Sequence, residues 1–161
     1  MDHTLEVLVG EALLRRGWTV STAESCTGGL IMHRLTNIAG SSRYVMGGLV
    51  SYANEVKRDL LHVPQHILDT HGAVSEETAR QMVIGALGMF GTNIAAAVTG
   101  IAGPGGGTPT KPVGLTYIGV GLRDNEPIIR RHVWNGDREA IKSASSDEAL
   151  RMLLELLSTT A

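Results

Sequence analysis

The sequence predicts an α/β protein in which helices cover both faces of a mixed sheet. Predicted strands alternate with predicted helices along most of the chain, an order typical of parallel strands joined by helical crossovers. The run NIAAAVTG at 93–100 is apolar without alternation, as in a strand covered on both faces. Two later strands are joined by residues 123–126, a short link that predicts an antiparallel hairpin and makes the sheet mixed.

The composition excludes several classes of protein. A chain of 161 residues is long enough to bury one substantial core, and we expect a single domain over residues 1–161. The formal net charge of -2 gives no electrostatic basis for binding nucleic acid. One cysteine allows no internal disulfide, and no apolar run approaches the roughly 18 residues that a membrane span needs. We therefore expect a cytoplasmic protein that binds neither nucleic acid nor membrane.

Helix and strand patterns divide the first part of the chain into four elements. Apolar residues at helical spacing from Leu5 to Leu13 predict a helix, and Gly17 is placed to end it. The β-branched run WTVSTAE at 18–24 predicts a strand, and a helix is expected over residues 27–35. The segment YVMGGLVSYA at 44–53 predicts the second strand.

Two more helices are predicted before the central apolar strand. Asn54, a residue type that favours the N-cap position, is expected to start a short helix over residues 54–61. A break is expected at Val63 and Pro64. Ser75 is expected to cap a longer helix, because two glutamates follow it and apolar residues then repeat at helical spacing as far as Phe90.

The last part of the chain contributes three strands and a helix. After the strand at 93–100, the segments VGLTYIGVG at 113–121 and PIIRRHVW at 127–134 predict the two strands of the hairpin. A final helix is expected over residues 137–157, with a buried stripe of alanine and leucine side chains. The predicted element order is therefore α-β-α-β-α-α-β-β-β-α.

Three loops that follow predicted strands hold most of the chemically interesting residues. They span residues 24–29, 53–57 and 99–107. Ligands of such sheets bind beyond the carboxyl ends of the strands, so these loops are expected to form one site. The glycines of GIAGPGGG at 100–107 indicate a loop whose backbone approaches a ligand closely.

Ser25 follows the first strand directly and has two interpretations. As a nucleophile it would face a ligand, with the backbone N–H groups of residues 26–29 turned toward an anion or oxyanion. Alternatively, Ser25 or Thr27 caps the next helix. A serine nucleophile needs a base, and this position has neither a Gly-x-Ser-x-Gly elbow nor a Ser-x-x-Lys motif. The base must therefore come from another loop.

The segment SYANEVK at 51–57 offers Tyr52 and Lys57 for that role. A lysine acts as a base when burial or a nearby cation lowers its pKa from about 10.4 toward neutrality. Alternatively, Lys57 is a solvated charge on a helix. Cys26 is either a rival nucleophile, reactive as a thiolate, or a packed and inert thiol.

Other motifs do not complete a site by themselves. No metal is expected, because no cysteine or carboxylate set completes the ligands offered by three histidines, His62, His66 and His71. Lys111 in the loop GPGGGTPTKP is followed by proline, so the loop is not a Walker motif. Asp137 and Arg138 either form internal contacts or bind a substrate anion.

Six segments, in this order along the chain, resemble the nicotinamide-nucleotide amidohydrolase family, which is also the C-terminal domain of the competence/damage-inducible protein CinA. They are TAESCTGGL, SYANEVK, HGAVSEETA, VTGIAGPGGG, KPVGLTYIG and NGDRE. The resemblance runs from about Leu5 to Leu157, and the chain as given resembles the stand-alone form. It implies a three-layer α/β/α fold with a mixed, mostly parallel sheet, and a metal-free serine amidase without a cofactor.

The activity implied by the resemblance is hydrolysis of the carboxamide of nicotinamide mononucleotide, a step of pyridine nucleotide recycling. The products are nicotinate mononucleotide and ammonia. The family's serine falls on Ser25, its lysine on Lys57 and its tyrosine on Tyr52. We expect neutral Lys57 to take the Ser25 proton, with Tyr52 orienting it or relaying a proton, while Ser25 Oγ attacks the substrate. The resemblance also implies a homo-oligomer.

Substrate contacts are expected near the nucleophile and in the glycine-rich loop. The oxyanion would accept hydrogen bonds from N–H groups of residues 25–27 or 99–103, and the phosphate would bind Arg138 or the 28–29 turn. The expected substrate-binding residues are Thr27, Gly28, Gly29, Thr99, Gly100, Gly103 and Arg138. Two other classes stay open: a catalytically silent nucleotide-binding or regulatory module, and a cysteine-dependent enzyme that uses Cys26.

Overall fold

The structure, a computed structural model, describes residues 4–161. These residues form helices and strands in the alternating order that the sequence predicts, with an added short α-helix and an added 3-10 helix at Ser41–Arg43. The helices are α1 (Thr4–Arg16), α2 (Leu30–Thr36), α3 (Asn54–Asp59), α4 (Gln65–His71), α5 (Glu76–Phe90) and α6 (Arg138–Thr159). The strands are β1 (Val20–Glu24), β2 (Val45–Val50), β3 (Ile94–Gly100), β4 (Leu115–Leu122) and β5 (Ile128–Val133).

The five strands form one sheet in the order β2-β1-β3-β4-β5. β1 pairs in parallel with β2 and with β3, whereas the β3–β4 and β4–β5 pairs are antiparallel. Of these strands, β4 runs against the other four. The predicted α/β class with a mixed, mostly parallel sheet is confirmed, and the predicted hairpin is formed by β4 and β5.

Helices cover both faces of this sheet, as β3 demonstrates. Ile94, Ala96 and Val98 belong to the core shared with α1, α2 and α6, whereas Ala95 and Ala97 belong to the core beneath α4 and α5. All of these side chains are fully buried. A strand with a helical layer on each side has no polar face, which is why its sequence does not alternate.

Two helix starts differ from the predictions. α2 begins at Leu30, later than expected, because Gly28 and Gly29 form a turn in the left-handed region, with φ of 62° and 100°. Asn54 is the first residue of α3 and not its cap. The N-cap position belongs to Ala53, and no side chain caps this helix.

The sequence patterns miss α4 but identify the cap of α5 correctly. The chain breaks at Pro64 as expected, yet a helix begins immediately afterwards, since proline is compatible with a helix start. α4 buries only Leu68, so it leaves no apolar period to detect. Ser75 caps α5 as predicted, and its Oγ accepts a hydrogen bond of 3.1 Å from the N–H of Thr78.

A buried ionic cluster joins α1, α2 and α6. Arg34 is 1% exposed and donates to Glu6 of α1 at 2.8 Å and to Asp147 of α6 at 2.6 Å. The guanidinium also donates to the hydroxyl of Ser146 at 2.8 Å. This cluster holds α2, and with it the turn that precedes α2, against the rest of the helical layer.

We predict that Arg34→Met lowers the free energy of unfolding by about 3–5 kcal/mol, because it leaves buried carboxylates without their counter-ion. Urea unfolding followed by circular dichroism measures this change. Arg15→Met is the control: the Arg15–Glu11 pair is exposed and 3.9 Å apart, so its loss is expected to cost less than about 1 kcal/mol. Equal effects of the two substitutions would contradict the prediction.

Candidate active site

The three loops singled out in the sequence meet at the carboxyl ends of the parallel strands. β1, β2 and β3 end side by side, and a cavity of 190 Å³ lies beyond them. Its walls come from the turn after β1, the segment after β2, the segment before α5, the end of β3 and the start of α6. The lining residues are Ser25, Cys26, Tyr52, Asn54, Lys57, Ala73, Val74, Thr99, Gly100, Ala102 and Arg138.

Ser25 and Lys57 contact each other in this cavity. The distance between Lys57 Nζ and Ser25 Oγ is 3.0 Å, and the two residues are 1% and 8% exposed. Lys57 Nζ also donates to the backbone carbonyls of Ser51 at 2.7 Å and Tyr52 at 3.1 Å. The interpretation of Lys57 as a solvated helix charge is therefore wrong, because α3 directs this side chain into the protein.

The surroundings of Lys57 favour its neutral form. Burial lowers the pKa of Lys57 from 10.5 to about 8, and no aspartate or glutamate among residues 4–161 lines the cavity to stabilise the charged form. In the neutral amine, the two N–H bonds match the carbonyls of Ser51 and Tyr52. The lone pair is then left to accept the hydroxyl proton of Ser25, which is the arrangement that a general base requires.

Cys26 has the opposite electrostatic character. Its thiol is 6% exposed, and burial raises its pKa to about 12, so the reactive thiolate is not populated near neutral pH. The sulfur packs against Gly100, where an added Cβ would lie 3.1 Å from Sγ and still closer to Thr116. The site therefore supports the interpretation of Cys26 as a packed, inert thiol.

Glu24 holds the turn that carries Ser25. Its carboxylate is 1% exposed and accepts hydrogen bonds from Thr27 Oγ1 at 2.7 Å, Ile31 N–H at 2.9 Å and Met32 N–H at 3.1 Å. The N-terminus of α2 is thus capped by Glu24, and the expectation that Ser25 or Thr27 caps it is wrong. Sequence reasoning misses this role because the capping residue lies outside the usual N-cap position.

The backbone of the Ser25 turn leaves donors available beside the nucleophile. The N–H of Ser25 donates to the carbonyl of Val98 at 2.9 Å, and that of Gly28 donates to the carbonyl of Ser25 at 3.0 Å. Within residues 4–161, the N–H group of Thr27 has no acceptor, and that of Cys26 is paired only with its own thiol. Both groups can donate to a ligand beside Ser25, whereas the N–H of Ser25 is already used.

Thr27 and Thr99 support the cavity with their side chains. Both are 1% exposed. The Thr27 hydroxyl is directed to Glu24, and Thr99 Oγ1 donates to the carbonyl of Ala73 at 2.7 Å. Thr99 thereby fixes the segment before α5 as one wall of the cavity. A direct contact of either hydroxyl with a substrate stays a prediction.

Tyr52 and Arg138 lie together at the mouth of the cavity. Tyr52 is 58% exposed, and its phenol oxygen accepts a hydrogen bond of 3.0 Å from Arg138. Arg138 also donates to the carbonyl of Gly103 at 2.7 Å, which joins the glycine-rich loop to α6. The phenol makes no hydrogen bond with Ser25 or Lys57 in the described residues, and Tyr52 contacts Lys57 through its backbone carbonyl. A proton relay through the phenol stays a prediction.

Several residues of the site have no clear sequence signal. Ala73 and Val74 line the cavity although nothing in their chemistry marks them, and Asn54 is part of the wall although its residue type suggested a helix cap. Asp137, for which two roles stayed open, caps α6 by accepting the Ala140 N–H at 2.9 Å.

Residues 4–161 lack two further features, a membrane-spanning helix and a metal-binding group of side chains. No helix in that range is both long and apolar enough to cross a membrane. The same residues contain no group of three or more histidine, cysteine, aspartate or glutamate side chains placed to hold a metal ion.

We predict that Glu24→Gln slows covalent labelling of Ser25 by a fluorophosphonate probe about tenfold or more. The glutamine amide group would face backbone N–H donors, and the turn that positions Ser25 would shift. Intact-mass spectrometry over time measures the labelling rate. Glu148→Gln is the matched control, since Glu148 is also buried, at 6% exposure, but pairs with Arg130 and Arg151 and does not contact the Ser25 turn. Labelling of Glu24→Gln at the wild-type rate would contradict the prediction.

Comparison with known proteins identifies the family of this chain. Residues 2–157 match the family described as CinA C-terminal domain. A putative competence-damage inducible protein of Desulforudis audaxviator is 45% identical over 160 residues, which are 99% of this chain and 38% of that protein. A CinA-like protein of Mycolicibacterium gilvum is 50% identical over 147 residues, 91% of this chain and 35% of that protein. The chain thus spans just over a third of the length of these curated relatives.

Solved structures agree with this assignment. A CinA superfamily protein from Klebsiella pneumoniae 700603 superimposes with a TM-score of 0.94 at 35% identity, covering 98% of each chain. The competence/damage inducible protein CihA from Agrobacterium tumefaciens gives a TM-score of 0.94 at 46% identity and covers 96% of this chain and 94% of its own. The chain belongs to the CinA C-terminal domain family.

Proposed function

We propose that this protein is a serine amidohydrolase that converts nicotinamide mononucleotide to nicotinate mononucleotide and ammonia. The observation that carries the proposal is the contact of 3.0 Å between Ser25 Oγ and a buried Lys57 amine. Membership of the CinA C-terminal domain family supports it further.

The first step forms a tetrahedral intermediate. Neutral Lys57 accepts the proton of the Ser25 hydroxyl while Oγ attacks the carboxamide carbon of the substrate. The carbonyl oxygen becomes an oxyanion and accepts hydrogen bonds from the N–H groups of Cys26 and Thr27. One such donor is typically worth about 3 kcal/mol to the transition state.

The second step releases ammonia and the third regenerates the enzyme. Protonated Lys57 donates its proton to the amide nitrogen as the C–N bond breaks, which leaves an acyl ester on Ser25. Neutral Lys57 then takes a proton from water, which attacks the ester carbon, and the proton returns to Ser25 Oγ as the ester bond breaks. The product is the carboxylate.

The shape and charge of the cavity suit an aromatic amide. Its deep end holds the Ser25–Lys57 pair, and its mouth has the exposed Tyr52 ring and Arg138. No carboxylate side chain lines it, so neither the oxyanion nor the product carboxylate meets a like charge.

We predict that Ser25→Ala and Lys57→Met each reduce ammonia release from nicotinamide mononucleotide by about a thousandfold or more, because nucleophile and base act as a unit. Cys26→Ala is expected to keep activity within severalfold of wild type. A coupled ammonia assay with each purified variant measures these rates.

The same assay separates the other classes of function. Near-full activity of Ser25→Ala together with an inactive Cys26→Ala would show that the cysteine is the nucleophile. A wild-type protein that binds the nucleotide tightly but releases no ammonia would be a binding module, and the proposal would be wrong.

The pH dependence follows from the lowered pKa of Lys57. Below about pH 8 the amine carries a proton and cannot accept another, so kcat/KM is expected to fall about tenfold per pH unit as the pH decreases. Above that pH it is expected to level off. Initial rates between pH 6 and 9.5 measure the profile, and a residual Lys57→Met activity should lack this limb. A wild-type profile that is flat across pH 8 would contradict Lys57 as the base.

A further inference from the structure

The cavity that holds Ser25 is too small for a whole nucleotide. Its volume is 190 Å³, whereas sites for small molecules usually measure about 300–1,000 Å³. A substrate whose carboxamide meets Ser25 must therefore continue outside this cavity. A second cavity of 530 Å³ lies between the start of α2 and the first turns of α6.

Residues that line the two cavities are adjacent in the sequence. Arg138 lines the cavity of the nucleophile, and the residue before it, Asp137, lines the larger one. On the other side, Leu30 of the larger cavity follows directly on the turn that carries Ser25. Residues of both cavities therefore lie at the start of α6 and beside the Ser25 turn, which places the larger cavity within reach of a ligand that extends out of the smaller one.

Lys142 brings an unpaired positive charge to that larger cavity. It is half-buried, and it makes no hydrogen bond or ion pair with any residue in the range 4–161. Its Nζ lies over the Ser25 turn, since a Cβ built on Gly28 would be 3.5 Å from it. The N–H of Gly28 in turn donates to the carbonyl of Ser25 at 3.0 Å. The ammonium thus lies against the turn that carries Ser25 but outside the cavity that Ser25 lines.

Other groups near the site that attract anions already have hydrogen-bond partners in residues 4–161, unlike Lys142. Arg138 donates to the carbonyl of Gly103 and to the phenol of Tyr52. The N-terminus of α2 is filled by the carboxylate of Glu24. Lys57 is enclosed with Ser25 at the deep end of the smaller cavity.

The two carboxylates in the larger cavity do not pair with Lys142. Asp137 accepts the N–H of Ala140 at 2.9 Å as the cap of α6, and Glu139 is exposed to water, which screens its charge. A phosphate that binds Lys142 therefore meets one committed carboxylate and one solvated carboxylate.

We propose that Lys142, together with the Gly28 side of the Ser25 turn, forms a subsite for the phosphate monoester of the substrate. This inference rests on the proposed function and assigns the phosphate to a residue that the sequence motifs do not mark. A lysine ammonium donating to a phosphate oxygen makes a charge-assisted hydrogen bond, which is stronger than one between neutral groups. The subsite selects a nucleotide over the corresponding nucleoside.

The test compares two substrates that differ only in the phosphate, nicotinamide mononucleotide and nicotinamide riboside. In Lys142→Met, KM for the mononucleotide is expected to rise about tenfold or more, while KM for the riboside stays unchanged. Lys142→Arg is expected to restore much of the affinity for the mononucleotide. Arg15→Met, which removes an exposed positive charge from α1, is the control and should alter neither KM.

A binding experiment without turnover separates the subsite from the proposed function. Calorimetric titration with ribose 5-phosphate is expected to show binding to wild type and Arg15→Met, at least tenfold weaker binding to Lys142→Met, and no binding of ribose to any of them. This result would support the subsite even if the wild-type protein released no ammonia, in which case the proposed function alone would be wrong. If the protein turns over the mononucleotide, but neither the KM nor the binding of ribose 5-phosphate depends on Lys142, the proposed subsite is wrong and the proposed function stands.

Discussion

The burial of Lys57 is the constraint on which the rest of the site depends. An ammonium group taken out of water is costly unless a counter-ion accompanies it, and the cavity supplies two carbonyls and a hydroxyl instead. The consequence is a pKa of about 8, which makes the neutral amine available near physiological pH. The same contacts orient that amine toward Ser25. The lowered pKa of Lys57 and its contact with Ser25 therefore both favour this amine as a proton acceptor for the Ser25 hydroxyl.

Arg34 shows how the same fold treats a buried cation differently. Like Lys57 it is 1% exposed, but two carboxylates, Glu6 and Asp147, accept hydrogen bonds from it. A guanidinium paired in this way stays charged and joins three helices. The two buried cations therefore differ in role. Arg34, which has carboxylate partners, stabilises the helical layer, whereas Lys57, which has none, can exchange a proton.

Glu24 connects the site around Lys57 with the helical layer that Arg34 stabilises. It ends a fully buried strand, and its carboxylate is enclosed by the start of α2 and by Thr27. The cost of burying it is offset by hydrogen bonds from Thr22, from Thr27 and from two N–H groups of α2, and the last three also determine where the Ser25 turn can lie. α2 is in turn held by the Arg34 cluster. The position of Ser25 thus depends on polar contacts on both sides of a short helix.

Local patterns were sufficient for the α/β class, the hairpin, the covered strand and the cap at Ser75, because each rests on periodicity or on a residue's own backbone preference. They also predicted that three loops meet, since parallel strands end at one edge of a sheet. Local patterns do not determine burial or contacts between distant residues. The short α4, the capping role of Glu24, the inert thiol of Cys26 and the position of Lys142 were therefore decided by tertiary structure. Tertiary structure also decided the basicity of Lys57. The sequence by itself determined which residue types stand in the three loops. Only the fold, by excluding water and carboxylates from the surroundings of one lysine, lowered the pKa of its amine.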